Sequence, residues 1–102
     1  MSKNINYLDF FIDELNKNFP GINAVSGEYW DGSDDQRVIW FKGTESASID
    51  GQSLFNPYSY DCDPQEKIWV MGTHKKLCNF LKRHGWYPEP YDNGTLFAIR
   101  KV

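Results

Sequence analysis

Apolar side chains at Leu8, Phe11, Ile12, Leu15 and Phe19 recur at steps of three and four, which places them on one face of an α-helix. Asn4 or Asn6 is a candidate cap at its start, and Pro20-Gly21 must end it. Beyond it the period falls to two. Ile22 to Trp30 reads as a strand, Asp31-Gly32-Ser33-Asp34-Asp35 as a hairpin loop, and Arg37 to Lys42 as the returning strand, with Gly43 closing the unit. From Thr73, the expected N-cap, Leu77, Cys78, Phe80 and Leu81 form a second helical face. Lys82, Arg83 and His84 stand in its last turn, where the helix dipole favours cations, and Gly85 lies just past the end. Trp86 to Tyr91, the turn Asp92-Asn93-Gly94-Thr95 and Leu96 to Lys101 then read as a second hairpin.

Both halves thus predict helix, strand, turn, strand. The expected fold class is α+β: a two-layer sandwich with an αββ-αββ pseudo-repeat, its four-stranded antiparallel sheet carrying two helices on one face. One domain spans residues 1–102, with units at 1–43 and 67–102 joined by an acidic, Tyr- and Pro-rich connection at 44–66. Alternation puts Val38, Trp40 and Lys42 on one side of the sheet and Ile39 and Phe41 on the other, and sets Leu96 and Ala98 opposite Phe97 and Ile99. Both sides are apolar. Helices bury only one, so the other needs cover, expected in part from the middle segment, where Asp50-Gly51 marks a small hairpin between Ile49 and Leu54-Phe55.

A chain of 102 residues can bury a single core without a disulfide or metal staple. Cys62 and Cys78 are too few for a disulfide framework, no basic-then-apolar leader follows Met1, and no apolar run approaches the ~20 residues that cross a bilayer. The expected setting is the cytoplasm, that of a host cell if the resemblance below holds, with no membrane partner.

Charge changes the picture more. Residues 1–66 hold 4 Lys/Arg against 12 Asp/Glu, a balance of −8, while residues 67–102 hold 7 against 2, a balance of +5. Opposite poles steer charged partners to a chosen face. Interleaved with the acids are Tyr29, Trp30, Tyr58 and Tyr60, and two prolines stiffen Asn56-Pro57-Tyr58-Ser59-Tyr60-Asp61-Cys62-Asp63-Pro64. Carboxylates imitating phosphates, with rings for burial, suit a protein that occupies a basic, nucleic-acid-binding surface. The candidate partner-binding residues are therefore Tyr29, Trp30, Asp31, Asp34, Asp35, Tyr58, Tyr60, Asp61 and Asp63. The alternative is a solvated loop whose prolines and aspartates make turns.

Sharper chemistry is weaker. Cys62, His74, Cys78 and His84 are zinc-ligating types, but no close Cys pair precedes a close His pair, and Cys78 lies on the apolar stripe. The run from Asp31 lacks the glycine and glutamate of a calcium loop at its sixth and twelfth positions, where Gln36 and Lys42 stand. Neither metal nor cofactor is expected. Lys75, Lys76, Lys82, Arg83, Arg100 and Lys101, with Trp86 and Tyr87 nearby, raise direct nucleic-acid binding. The overall acidity works against it, and these bases could equally meet the acidic pole of a second copy in a homodimer.

The stretch Phe80-Leu81-Lys82-Arg83-His84-Gly85-Trp86, with Gly94-Thr95-Leu96-Phe97 after the hairpin, resembles the helix-strand-turn-strand of hic-type mRNA interferase toxins. The resemblance covers about a quarter of the chain and implies a catalytic histidine after the turn glycine. Thr95 and Leu96 occupy that position, neither can act as a general base, and no catalytic residue is expected. A longer stretch (Ile49-Asp50-Gly51, Leu54-Phe55, Tyr60-Asp61, Gly72 to Leu77, Phe80-Leu81, His84-Gly85-Trp86-Tyr87, Tyr91-Asp92, Gly94-Thr95) resembles small phage and prophage accessory proteins. That resemblance implies proteins that disable host machinery, anti-CRISPR and anti-restriction inhibitors among them. The expected function is a non-enzymatic inhibitor that docks an acidic aromatic face on a basic host protein. The alternatives are a hic-toxin-like RNA-binding or ribonuclease domain and a self-associating structural phage protein.

Overall fold

The computed structural model describes residues 7–32, 36–56 and 68–101. In chain order these form α1 (Tyr7–Asn18), β1 (Ala24–Ser26), α2 (Glu28–Asp31), β2 (Val38–Phe41), β3 (Ser48–Ile49), β4 (Gln52–Ser53), β5 (Trp69–Val70), β6 (Thr73–His74), α3 (Lys75–Arg83), β7 (Trp86–Asp92) and β8 (Thr95–Arg100). The main sheet is antiparallel throughout, in the order β1-β2-β8-β7, and the fold is α+β.

One face of that sheet meets the helices. The register pairs Ile39 with Ala98 and Phe41 with Leu96, and all four are buried with Leu8, Phe11 and Leu15 of α1 and Leu77, Phe80 and Leu81 of α3. Phe11 sits at the junction, its ring 5.9 Å from Phe80 and 5.2 Å from the buried Trp86, stacked on both. Ile12 and Phe19 pack at the margin. The apolar spacing of both helices thus has the purpose its period implies, and Cys78 is buried beside it.

The strand predicted from Ile22 to Trp30 is shorter than expected. It holds only from Ala24 to Ser26, after which Glu28–Asp31 turns into one helical turn ended by Gly32 in the left-handed conformation. Gly27 explains the break. A Cβ there would lie 2.8 Å from Val38 Cγ1, so only glycine lets the chain pass this close to β2 before turning. Asp31 is therefore helical and not part of a hairpin loop, although β1 and β2 pair as expected. The preference of Tyr29 and Trp30 for strand loses to the edge-on ring contacts that α2 gives Trp30.

Residues 44–56 depart from expectation in a second way. Instead of covering the far side of the sheet, Ala47, Ile49, Leu54 and Phe55 join the helix-side core. The hairpin at Asp50-Gly51 does form, both residues at positive φ (54° and 78°) as a two-residue turn demands. It is fastened to the second small hairpin by His74 N–H donating to the Leu54 carbonyl at 2.8 Å and by the Trp69 indole donating to the Ser53 carbonyl at 2.8 Å.

Both outer edges of the main sheet offer few backbone donors to a further strand. On β1 the Asn16 side chain occupies the outward backbone groups of Ala24, donating to its carbonyl at 3.0 Å and accepting from its N–H at 2.7 Å. On β7 the Gly85 carbonyl faces β8, accepting from Lys101, so the backbone groups of residues 86, 88 and 90 face outward. Two of those three are Pro88 and Pro90, which have no N–H to offer.

Thr44 joins the two central strands from within. Its buried hydroxyl donates to the Phe41 carbonyl at 2.5 Å and accepts from Leu96 N–H at 3.1 Å. Thr44→Val keeps the shape and strands the Leu96 donor, so it should lower unfolding free energy by about 1–3 kcal/mol. Thr44→Ser should lose much less. Urea denaturation measures both, and equal midpoints for wild type and Thr44→Val would contradict this role.

Candidate docking face

The second face of the sheet is formed by the side chains that alternate with the core set. Val25, Val38, Trp40, Tyr87 and Ile99 are half-buried there, in register across the four strands, with Phe97 at the centre. No helix of eight residues or more among the described residues lies over them. Their cover among the described residues is Trp30 from α2. Its ring meets Trp40, Phe97 and Tyr91 edge-on at centroid distances of 5.0, 5.2 and 5.3 Å, the arrangement in which positive ring edges address negative ring faces. Tyr91 also meets Phe97 edge-on at 5.7 Å.

This cover is partial. Trp30 remains 40% exposed, Tyr91 62% and Tyr29 69%, a concentration of exposed aromatic surface of the kind that marks interaction sites. Lys42 Nζ sits 5.8 Å from the centre of the Trp40 ring, within cation-π range at the rim. Around the rings stand the acids Glu28 and Asp31 on α2, Glu89 on β7 opposite Phe97, and Asp92 at the adjoining turn. Asp92 also shapes that turn, its carboxylate accepting from Gly94 N–H at 2.9 Å.

Of the residues expected to bind a partner, Tyr29, Trp30 and Asp31 lie together on α2 beside this face. Asp34, Asp35, Tyr58, Tyr60, Asp61 and Asp63 lie outside the described residues. Trp40, Tyr91 and Phe97 were not among the expected site residues. Their signal was the alternation of Trp40 with Phe41 and of Phe97 with Ala98, which already demanded a second apolar face.

The histidines have structural positions. His74, and not Thr73, caps α3: its Nδ1 accepts from Lys76 N–H at 3.2 Å. That fixes the ring proton on Nε2, which donates to Gln52 Oε1 at 3.0 Å. Both nitrogens are committed, and burial, with Lys75 and Lys76 adding to it, pushes the pKa below the ordinary value of 6.5 while Asp50 pulls the other way. Asp50 is itself ion-paired with Lys76, which lowers its carboxyl below the usual range. His84 is the C-cap residue of α3, with its ring against Phe11 and Phe80 and its carbonyl accepting from the Tyr7 hydroxyl. Among the described residues no three His, Cys, Asp or Glu side chains converge as a metal site would require, and Cys62 lies outside them. At the position of the interferase histidine, Leu96 is buried in the core. Among the described residues no helix is long and apolar enough to cross a membrane.

Comparison with protein-family models, with curated proteins and with solved structures found no match.

The His74 cap makes stability pH-dependent with a definite sign. The imidazolium is disfavoured in the fold, so the unfolded chain binds the proton more tightly. The contribution is complete above the unfolded-state pKa of about 6.5 and is lost as pH falls from there through the lowered folded-state value. His74→Asn retains a capping acceptor and removes the titration. The difference in urea midpoint between wild type and His74→Asn should shrink or reverse from pH 7.5 to pH 5, and a difference independent of pH would contradict the assignment.

Proposed function

We propose that this protein is a non-enzymatic interaction module that docks its open aromatic face on a basic protein surface. The observation that carries the reading is Trp30, packed edge-on against three rings and still 40% exposed. A large, rigid, half-buried ring loses little conformational entropy when a partner covers it, which is the property of interface anchors. The acids Glu28, Asp31, Glu89 and Asp92 around it favour a cationic partner. Strand addition at the two donor-poor edges is a poor alternative, which leaves the face as the larger surface to offer.

In this reading the sequence pole of −8 over residues 1–66 speeds encounter with the partner, and ring burial sets the lifetime of the complex. The resemblance to phage accessory proteins extends the proposal to an inhibitor acting in a host cytoplasm on a nucleic-acid-binding protein. The basic side chains of α3, Lys75, Lys76, Lys82 and Arg83, belong to the other pole.

Titration with an arginine-rich peptide, followed by tryptophan fluorescence, tests the reading. Binding should be saturable at low salt, weaken at 0.5 M salt, and fall at least tenfold in Trp30→Ser, with His84→Ala unchanged. Preferential binding of a single-stranded oligonucleotide would contradict it. So would a salt-insensitive homodimer, detected by sedimentation, that Trp30→Ser dissociates.

A further inference from the structure

Three rings stand in a row where α1 meets α3. Tyr7 lies 6.1 Å from Phe11 and Phe11 lies 5.9 Å from Phe80, with interplanar angles of 3° and 12°. Each end of the row carries a guanidinium. That of Arg100 is 4.8 Å from the centre of the Tyr7 ring, and that of Arg83 is 5.6 Å from the centre of the Phe80 ring. Beside the row, the exposed His84 packs its ring against Phe11 and Phe80. Elsewhere among the described residues, Lys17 and Lys76 are ion-paired with Glu14 and Asp50. Arg83 and Arg100 rest on rings instead, exposed and without a carboxylate partner. We infer that this end of the molecule is a second docking surface, for an acidic protein segment whose carboxylates take the two arginines and whose intervening apolar residue covers Tyr7 and Phe10.

A ring positions a guanidinium without consuming it. Cation-π contact uses the flat side of the group, so its N–H edge stays free for a carboxylate. Holding the side chain in place beforehand lowers the entropy lost on binding. The dipole of α3 accounts for a cation at Arg83 in its last turn, but not for Arg100, which reaches the same row from β8. Tyr7 and Phe10, neighbours at i and i+3 on α1, are 40% and 55% exposed and supply the apolar contact. Exposure also selects among anions. Phe11 and Phe80 are buried and Arg100 lies over Tyr7, so few open ring faces remain on which the bases of a nucleic acid could stack. The acidic pole of the chain also repels a strand charged at every nucleotide more than it repels a short acidic segment. Register sets Arg100 opposite Trp86, on the helix side of the sheet. The surface therefore shares no residue with the ring face around Trp30 and stands whether or not that face binds a protein.

The probe is a short peptide of glutamates around a central leucine, added to the full chain labelled with ¹⁵N, with a glutamine version of the peptide as control. At low salt, saturable shifts should centre on the amides of Tyr7, Phe10, His84 and Arg100. Arg83→Gln and Arg100→Gln should each weaken binding by roughly tenfold, the effect of one hydrogen bond to a charged group, in variants whose spectra stay folded. Arg100→Lys, which keeps the charge without the flat fork, should recover only part of that loss. Binding should be unchanged in Trp30→Ser and in Lys17→Gln. Four results would overturn the surface: no saturable shift at millimolar peptide, equal binding of the glutamine control, unchanged affinity when both arginines are replaced, or tighter binding of a single-stranded oligonucleotide of the same charge.

Discussion

A four-stranded sheet that is apolar on both faces, with long helices among the described residues for only one of them, is the constraint on which the rest of the structure depends. Ile39, Phe41, Leu96 and Ala98 are satisfied by α1 and α3. Val38, Trp40 and Ile99 stay half-exposed, and the cover they have among the described residues is one turn of helix and one indole. That arrangement leaves enough ring surface in water to make this side of the molecule the place where a partner gains most by docking.

The surrounding details follow from keeping that surface available without inviting aggregation. An exposed apolar face next to open strand edges would be a hazard, since a second chain could add strands and extend the sheet. Asn16 occupies one edge with its amide, and Pro88 and Pro90 leave the other short of donors. Contact is thereby directed to the face, where side chains decide the fit, and away from the edges, where any extended backbone would do. Acids beside the rings add selectivity by sign.

Much of the architecture was legible in the sequence because its signals were local. The 3.6-residue period of Leu8, Phe11 and Leu15 and of Leu77, Phe80 and Leu81 identified both long helices, Asp50-Gly51 and Asn93-Gly94 identified turns, and alternation assigned the faces of β2 and β8. What was missed depended on contacts between distant parts of the chain. Tyr29 and Trp30 carry strand propensity, and only the approach of Gly27 to Val38 and the rings waiting across the sheet make a helical turn preferable. Threonine is a common capping residue, so Thr73 is the expected cap, whereas His74 holds that position because Gln52 on the small hairpin orients its ring. The docking face is half legible in the sequence: Trp30 stands among acids, while Tyr91 and Phe97, more than 60 positions away, join it only through the order of the strands.

The central claim is that the second sheet face stays open in the free protein. Solvent paramagnetic relaxation enhancement of the tryptophan indoles measures this directly, with the buried Trp86 as the internal standard. A soluble gadolinium chelate should relax the Trp30 indole strongly and Trp86 hardly at all, at concentrations where the protein is monomeric. Protection of Trp30 equal to that of Trp86 would mean that the face is already covered and would contradict the account.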